Sequence, residues 1–312
     1  MPSDPERDIS WRRAPHIVMS GMCMGTADLV PGVSGGTMAV ALGIYREFLA
    51  AIASVNVQSL RTFLHGRFRE VMGIVHWRFI ASLAVGMLVA IVVMGKVLKL
   101  PQLVSESPKL VYSVFFGLVL ASVVVLLRRL QHWTTGAIVS LPLGALLGYL
   151  VVTLVPVSTP EHPLFVFLCG VIAISAMILP GISGSFILLI LGKYEYIISG
   201  ALDLKLDIAL PFVLGCAIGI AVFSRILGTL LDKFPNGMIA GLTGLLVGSL
   251  ARIWPYQHLE TAVVRGKTRV LSSEAFFPES VEPAVYGLMA LGLIAVLAIE
   301  FTASRRNNKI QA

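Results

Sequence analysis

Pro31, Gly32, Ser34, Gly35, Gly36 and Thr37 stand together in the middle of an apolar run, "ADLVPGVSGGTMAVALGIYREF". A second run, "AMILPGISGSFILLILGKYEYI", sets Pro180, Gly181, Ser183, Gly184 and Ser185 in nearly the same way. Proline has no N–H and stops an incoming helix, and glycine permits the tight turn that follows. A helix restarting near Ser34 or Ser183 offers unpaired N–H groups, a positive dipole end and neighbouring hydroxyls. Such an end favours an anion, phosphate above all. Non-helical backbone at bilayer depth survives only inside protein or along a polar cavity. The plainer alternative is that the glycines let two helices pack closely while the serines satisfy the break.

Charged residues near these runs could serve the same chemistry. Lys96 and Arg225 lie inside apolar segments, each ten residues after a glycine, Gly86 and Gly215. They read either as phosphate counter-charges or as anchors that snorkel to the interface. Asp28, three residues before Pro31, is costly in an apolar setting unless paired or protonated; it reads as a helix-end partner or a proton carrier. Arg46 and Glu47 follow the first Leu-Gly turn, and Lys193 and Glu195 the second. They are candidates for headgroup gating or coupling, or ordinary boundary charges.

The chain that must position these residues has 312 of them, 56% hydrophobic and 13% charged. Its mean hydropathy is +0.87. A soluble domain carries about 25% charged residues, so this composition describes an integral membrane protein with several spans. The net charge of +7 lies in short loops, which sets topology and does not point to nucleic acid. Cys23, Cys169 and Cys216 lie in apolar segments without metal-ligand spacing, and no cofactor or metal is expected. The polar N-terminus lacks a signal-peptide pattern and is expected to stay cytoplasmic. No P-loop, nucleophile elbow, HExxH or paired catalytic carboxylates are present, so no covalent chemistry is expected.

The expected fold is an all-α polytopic membrane protein. Two broken hairpins cover residues 16–53 and 163–202, either re-entrant or paired full spans. Plain spans cover 79–100, 110–127, 136–156, 208–231, 237–254 and 283–301. The basic loops, with Arg12 and Arg13, with Arg61, Arg67, Arg69 and Arg78, with Arg128 and Arg129, and with Arg305 and Arg306, all fall on one side. That puts both termini inside and the 256–282 loop outside. Placing Pro31 on Pro180 aligns Gly32, Ser34 and Gly35 with Gly181, Ser183 and Gly184, then Leu42-Gly43 with Leu191-Gly192 and Tyr45 with Tyr194. The chain therefore divides into repeats 1–156 and 157–312. Each holds one hairpin and three spans, and the odd number of crossings inserts the second repeat upside down, as in many transporters.

The two motifs, "GTADLVPGVSGGTMAVALGIYREF" and "ILPGISGSFILLILGKYEYI", resemble those of the undecaprenyl-phosphate translocase (PopT) family of polytopic bacterial membrane proteins, formerly a domain of unknown function. The likeness covers nearly the whole chain; Ser185 and Phe186 depart from the Gly36-Thr37 of the first motif. It implies flipping of undecaprenyl phosphate from the outer to the inner leaflet of the cytoplasmic membrane, for reuse in peptidoglycan and other envelope polymers. The partners it implies are that lipid and the surrounding membrane lipids. Proton or other ion coupling and a homo-oligomer stay open. The rival readings are a small-anion transporter or channel built on the same helix ends, and a membrane-embedded lipid phosphatase.

Overall fold

The computed structural model describes residues 8–311 except 31, 131, 265–266 and 281. Pro31, the expected first helix stop, lies outside the described residues. The first hairpin comprises α1 (Ala14–Asp28), α2 (Gly35–Ala41) and α3 (Tyr45–Ser54). Two short surface helices follow, α4 (Val57–Leu64) and α5 (Phe68–Ile74). They occupy what reads in the sequence as a basic loop. Leu60, Phe63, Leu64, Phe68 and Met72 are exposed on them, as suits helices lying at a membrane interface.

Next come α6 (Trp77–Ala90), continued by a π-helical stretch Ile91–Val97, then α7 (Leu100–Glu106), α8 (Pro108–Arg129) and α9 (Thr135–Thr153). The second hairpin comprises α10 (Pro163–Ile178), α11 (Gly184–Ile190) and α12 (Tyr194–Leu202). The chain goes on through α13 (Leu206–Lys233) and α14 (Pro235–Ser249), which a 3₁₀ turn extends to Ile253, and ends in α15 (Pro283–Gln311).

Among the described residues five helices are long and apolar enough to cross a membrane: Trp77–Val97, Pro108–Arg129, Thr135–Thr153, Leu206–Lys233 and Pro235–Ile253. They match five of the six expected plain spans. The sixth, in α15, has a shorter apolar stretch, Pro283–Ala298. α11 and α12 bend by 112° at their junction. Between α14 and α15 the expected loop carries an antiparallel hairpin, β1 (Gln257–Val264) on β2 (Lys267–Ala275), with a register shift between Glu260 and Thr261.

Four helix pairs build the body: α1 on α6, α10 on α13, α8 on α15 and α9 on α14. Each crosses through glycine. Gly21 faces the Leu83 carbonyl and Gly86 that of Val18; Gly170 faces Phe212 and Gly215 faces Phe167. Gly117 and Gly292 do the same for α8 and α15, and Gly144, Gly148, Gly244 and Gly248 for α9 and α14. Water drives no association inside a bilayer, so close backbone approach of this kind holds helices together by dispersion. Two of these pairs, α8 on α15 and α9 on α14, join helices of the first half to helices of the second; the other two each lie within one half. The largest buried cluster contains both breaks: Val30, Val33 and Met38 from the first, Ile178 and Ile182 from the second, with Leu245 and Leu246 of α14.

Candidate functional site

The first break is closed on itself. Gly32 takes φ +86°, a left-handed turn that suits glycine. Ser34 caps α2, its Oγ accepting from the Thr37 N–H at 3.3 Å. The Asp28 carboxylate, at the end of α1, accepts from the Gly35 N–H at 2.6 Å. Ser34 and Thr37 are buried. The Gly35 and Thr37 N–H groups at the first helix end are therefore already held within the chain, one of them by an acid.

The second break has the same turn and, among the described residues, a helix end without a side-chain cap. Gly181 takes φ +87°. Among the described residues Ser183 does not cap its helix. Its Oγ instead lies 2.8 Å from that of Ser185, which is exposed. In the register that sets Pro31 on Pro180, Asp28 falls on Met177, so α11 has no carboxylate where α2 has one. The Leu-Gly turns also match: Gly43 has φ +73° and Gly192 φ +61°.

The two breaks meet. Gly181 N–H donates to Thr37 Oγ1 at 2.8 Å, a bond buried between residues of opposite halves. Tyr45 OH donates to the Ile178 carbonyl at 3.3 Å, and Ser34 Oγ reaches the Leu179 carbonyl at 3.5 Å. A Cβ on Gly36 would lie 2.9 Å from the Ile178 oxygen, so only glycine lets α2 come this close. Gly184 is packed as tightly on α10, where a Cβ would lie 2.6 Å from the Ala173 oxygen.

Arg252 reaches the same place, and sequence reasoning missed it. It sits in the 3₁₀ turn after α14 and is 5% exposed. A Cβ on Gly32 would lie 2.8 Å from its Cγ. Its guanidinium lies 4.7 Å from the centroid of the Phe186 ring, in the first turn of α11. Ser249, on the same helix, backs Gly181, whose Cβ would lie 2.6 Å from Ser249 Oγ. The one sequence signal is a cation two residues before Trp254 at the end of an apolar run, which also describes an interface anchor.

The other expected residues lie elsewhere. Lys96 and Arg225 are both exposed. Among the described residues, no hydrogen bond or ion pair joins either to the breaks. Gly95, just before Lys96, lies beside Leu29 of the first break, 3.8 Å from a built Cβ to Leu29 Cδ1, so Lys96 flanks that break on the outer surface. Arg46 pairs with Asp232. Glu47 binds Arg13 through both carboxylate oxygens, at 2.9 and 3.1 Å. Lys193 is 3% exposed; its Nζ donates to the Thr159 carbonyl at 2.5 Å and lies 5.6 Å from the Tyr196 ring centroid. That ties the loop after α9 to the α11–α12 turn. Glu195 is exposed. A cavity of about 180 Å³ opens beside the first Leu-Gly turn, lined by Gly43, Tyr45, Arg46 and Arg129 among others. No group of three or more His, Cys, Asp or Glu among the described residues could hold a metal ion.

Long apolar helices, glycine crossings and two facing broken hairpins define a polytopic α-helical membrane protein. The sequence profile of the undecaprenyl phosphate translocase-like family matches residues 24–270, and the chain belongs to that family. It is 39% identical over 244 residues to a polyprenyl-phosphate transporter of Vibrio cholerae, covering 77% of each chain. It is 30% identical over 257 residues to a polyprenyl-phosphate transporter of Staphylococcus aureus, covering 76% of this chain and 85% of that one. No solved structure matches it.

Proposed function

We propose that the chain carries polyprenyl phosphate, undecaprenyl phosphate in a bacterial envelope, across the cytoplasmic membrane from the outer to the inner leaflet without covalent chemistry. The observation that carries this reading is the junction of the two breaks at Thr37 and Gly181, in a chain whose relatives bear the name polyprenyl-phosphate transporter. The phosphate enters sideways between hairpin and helix, and the isoprenoid tail stays in lipid. The open end of α11, with Ser183, Gly184 and Ser185, receives the anion. Ser34, Gly35, Gly36 and Thr37 take part when the junction parts, and Lys96 and Arg225 act at the flanks.

The matched turns at Gly32 and Gly181, and the exchange of helices between halves, support an inverted repeat of 1–156 and 157–312. Rocking one repeat on the other would expose the junction to either side in turn. Both termini and the α4–α5 segment lie inside, and β1–β2 outside. An inside-negative potential opposes inward movement of the anion by about 2.3 kcal/mol per charge per 100 mV. Proton coupling, with Asp28 as a carrier, would offset that cost. The returned lipid would serve peptidoglycan and other envelope polymers.

Liposomes containing the purified chain, with polyprenyl phosphate read out in one leaflet at a time, test the proposal. Protein-dependent movement between leaflets with the phosphate still esterified supports it. Free phosphate release would make the chain a hydrolase, and flux of small anions without lipid movement would make it a channel.

A further inference from the structure

The expected counter-charges lie on exposed faces, which leaves open which cation receives the phosphate within the protein. We propose that Arg252 does, through its planar guanidinium; this rests on the transport reading above. Three observations converge. Arg252 is buried where two hairpins from opposite halves of the chain meet, with its stem against the Gly32 turn and its guanidinium over Phe186. Burying a guanidinium is costly, and ionisable groups kept inside membrane proteins mark substrate paths. A guanidinium lying over an aromatic ring directs its N–H groups outward in its own plane, and its five donors can grip two phosphate oxygens at once.

The third observation is a break in the internal likeness. Setting α14 on α8 so that Gly244 meets Gly117 and Ser249 meets Ser122 places Arg252 on Val125. Ser249 and Ser122 are both buried and bond back to their own helices. The packing solution shared by the two helices therefore does not call for a cation at this position. Tyr112 of α8, 2% exposed and within electrostatic reach of Arg252, adds a phenol to the surroundings of the guanidinium. Phe186 replaces Thr37 of the first motif in the repeat register. This second departure supplies the ring that Arg252 covers, so the two departures form one asymmetric place for one anion.

Binding of polyprenyl phosphate and of unphosphorylated polyprenol to the full chain in lipid nanodiscs tests this. The wild type is expected to prefer the phosphorylated lipid. Arg252→Gln is expected to weaken polyprenyl phosphate at least tenfold and leave polyprenol unchanged, with Arg252→Lys between the two. The Lys96→Gln/Arg225→Gln variant, whose charges only flank the path, is expected to lose less of the preference than Arg252→Gln. A wild type without any preference overturns the transport reading and this inference together. A preferring wild type and an equally preferring, folded Arg252→Gln variant overturn the inference alone. Should both Arg252 variants fail to fold, a polyprenyl phosphate with a photoreactive group beside the phosphate decides on the wild type. Cross-links at Gly32, Phe186 or Arg252 support the assignment, and cross-links confined to the Lys96 and Arg225 faces overturn it.

Discussion

Asp28 and Gly35 stand seven residues apart and close the first break between them, the carboxylate of one accepting the N–H of the other at 2.6 Å. A negative group at the start of a helix is favoured by the free N–H groups and the dipole. Asp28 thus occupies the kind of place in which an incoming anion would rest, and α11 has Met177 where α2 has that carboxylate. The hairpins share a backbone path and differ in what fills it.

Removing that carboxylate is expected to loosen α2. Asp28→Ala should lower stability by about 1–2 kcal/mol, in the range of a lost N-terminal cap. Asp28→Asn, which keeps an acceptor oxygen, should cost less. Reversible unfolding of the purified protein in detergent checks the order. Equal stability of all three forms would mean that the Gly35 N–H finds another acceptor.

The junction itself can be weakened by one group. Thr37→Val preserves shape and leaves the Gly181 N–H buried without its acceptor, a loss of about 1–3 kcal/mol. Thr37→Ser keeps the hydroxyl and should stay near the wild type. The same unfolding measurement separates the two, and a stable Thr37→Val variant would show that the bond contributes little.

Lys193 is expected to be structural. Its Nζ holds the Thr159 carbonyl, and the Val157 N–H reaches the Ile190 carbonyl at 2.8 Å. Lys193→Met should free the segment between α9 and α10, seen as faster proteolysis near residue 158, with no change in preference between phosphorylated and unphosphorylated lipid. A changed preference would place Lys193 on the substrate path.

Orientation follows from charge. Single cysteines at residues 58 and 66 should react with impermeant reagent only from the cytoplasmic face, and one at residue 277 only from outside. Labelling of all three from one face would contradict the arrangement of the spans.

The breaks were legible because Pro, Gly and Ser have few uses in an apolar run, and the left-handed turns at Gly32, Gly43, Gly181 and Gly192 fall where the sequence repeats. Lys96 and Arg225 show the limit of spacing arguments. Ten residues at about 100° each end about 80° off the starting face. Gly86 and Gly215 turn towards their partner helices, so the cations after them turn away, and the π-helical stretch shifts Lys96 further. Arg252 was hidden for another reason. Its burial depends on hairpins that arrive from distant parts of the chain, and nothing local distinguishes it from an interface anchor. The β1–β2 hairpin left a weak mark in its β-branched residues, Thr261, Val263, Val264, Thr268 and Val270, within a segment that reads by charge as a loop.

The central claim is that a phosphate passes the open end of α11, and a charge placed there tests it most directly. Ser185 is exposed, so Ser185→Gln and Ser185→Glu add the same bulk without invading the packed junction. A glutamate about 8 Å from a passing phosphate would oppose it by about 2 kcal/mol at an effective dielectric of about 20. Leaflet-to-leaflet movement of polyprenyl phosphate, measured in liposomes holding equal amounts of each inserted variant, is expected to be more than tenfold slower for Ser185→Glu than for Ser185→Gln. Equal rates in the two variants would contradict the account and send the phosphate by another route.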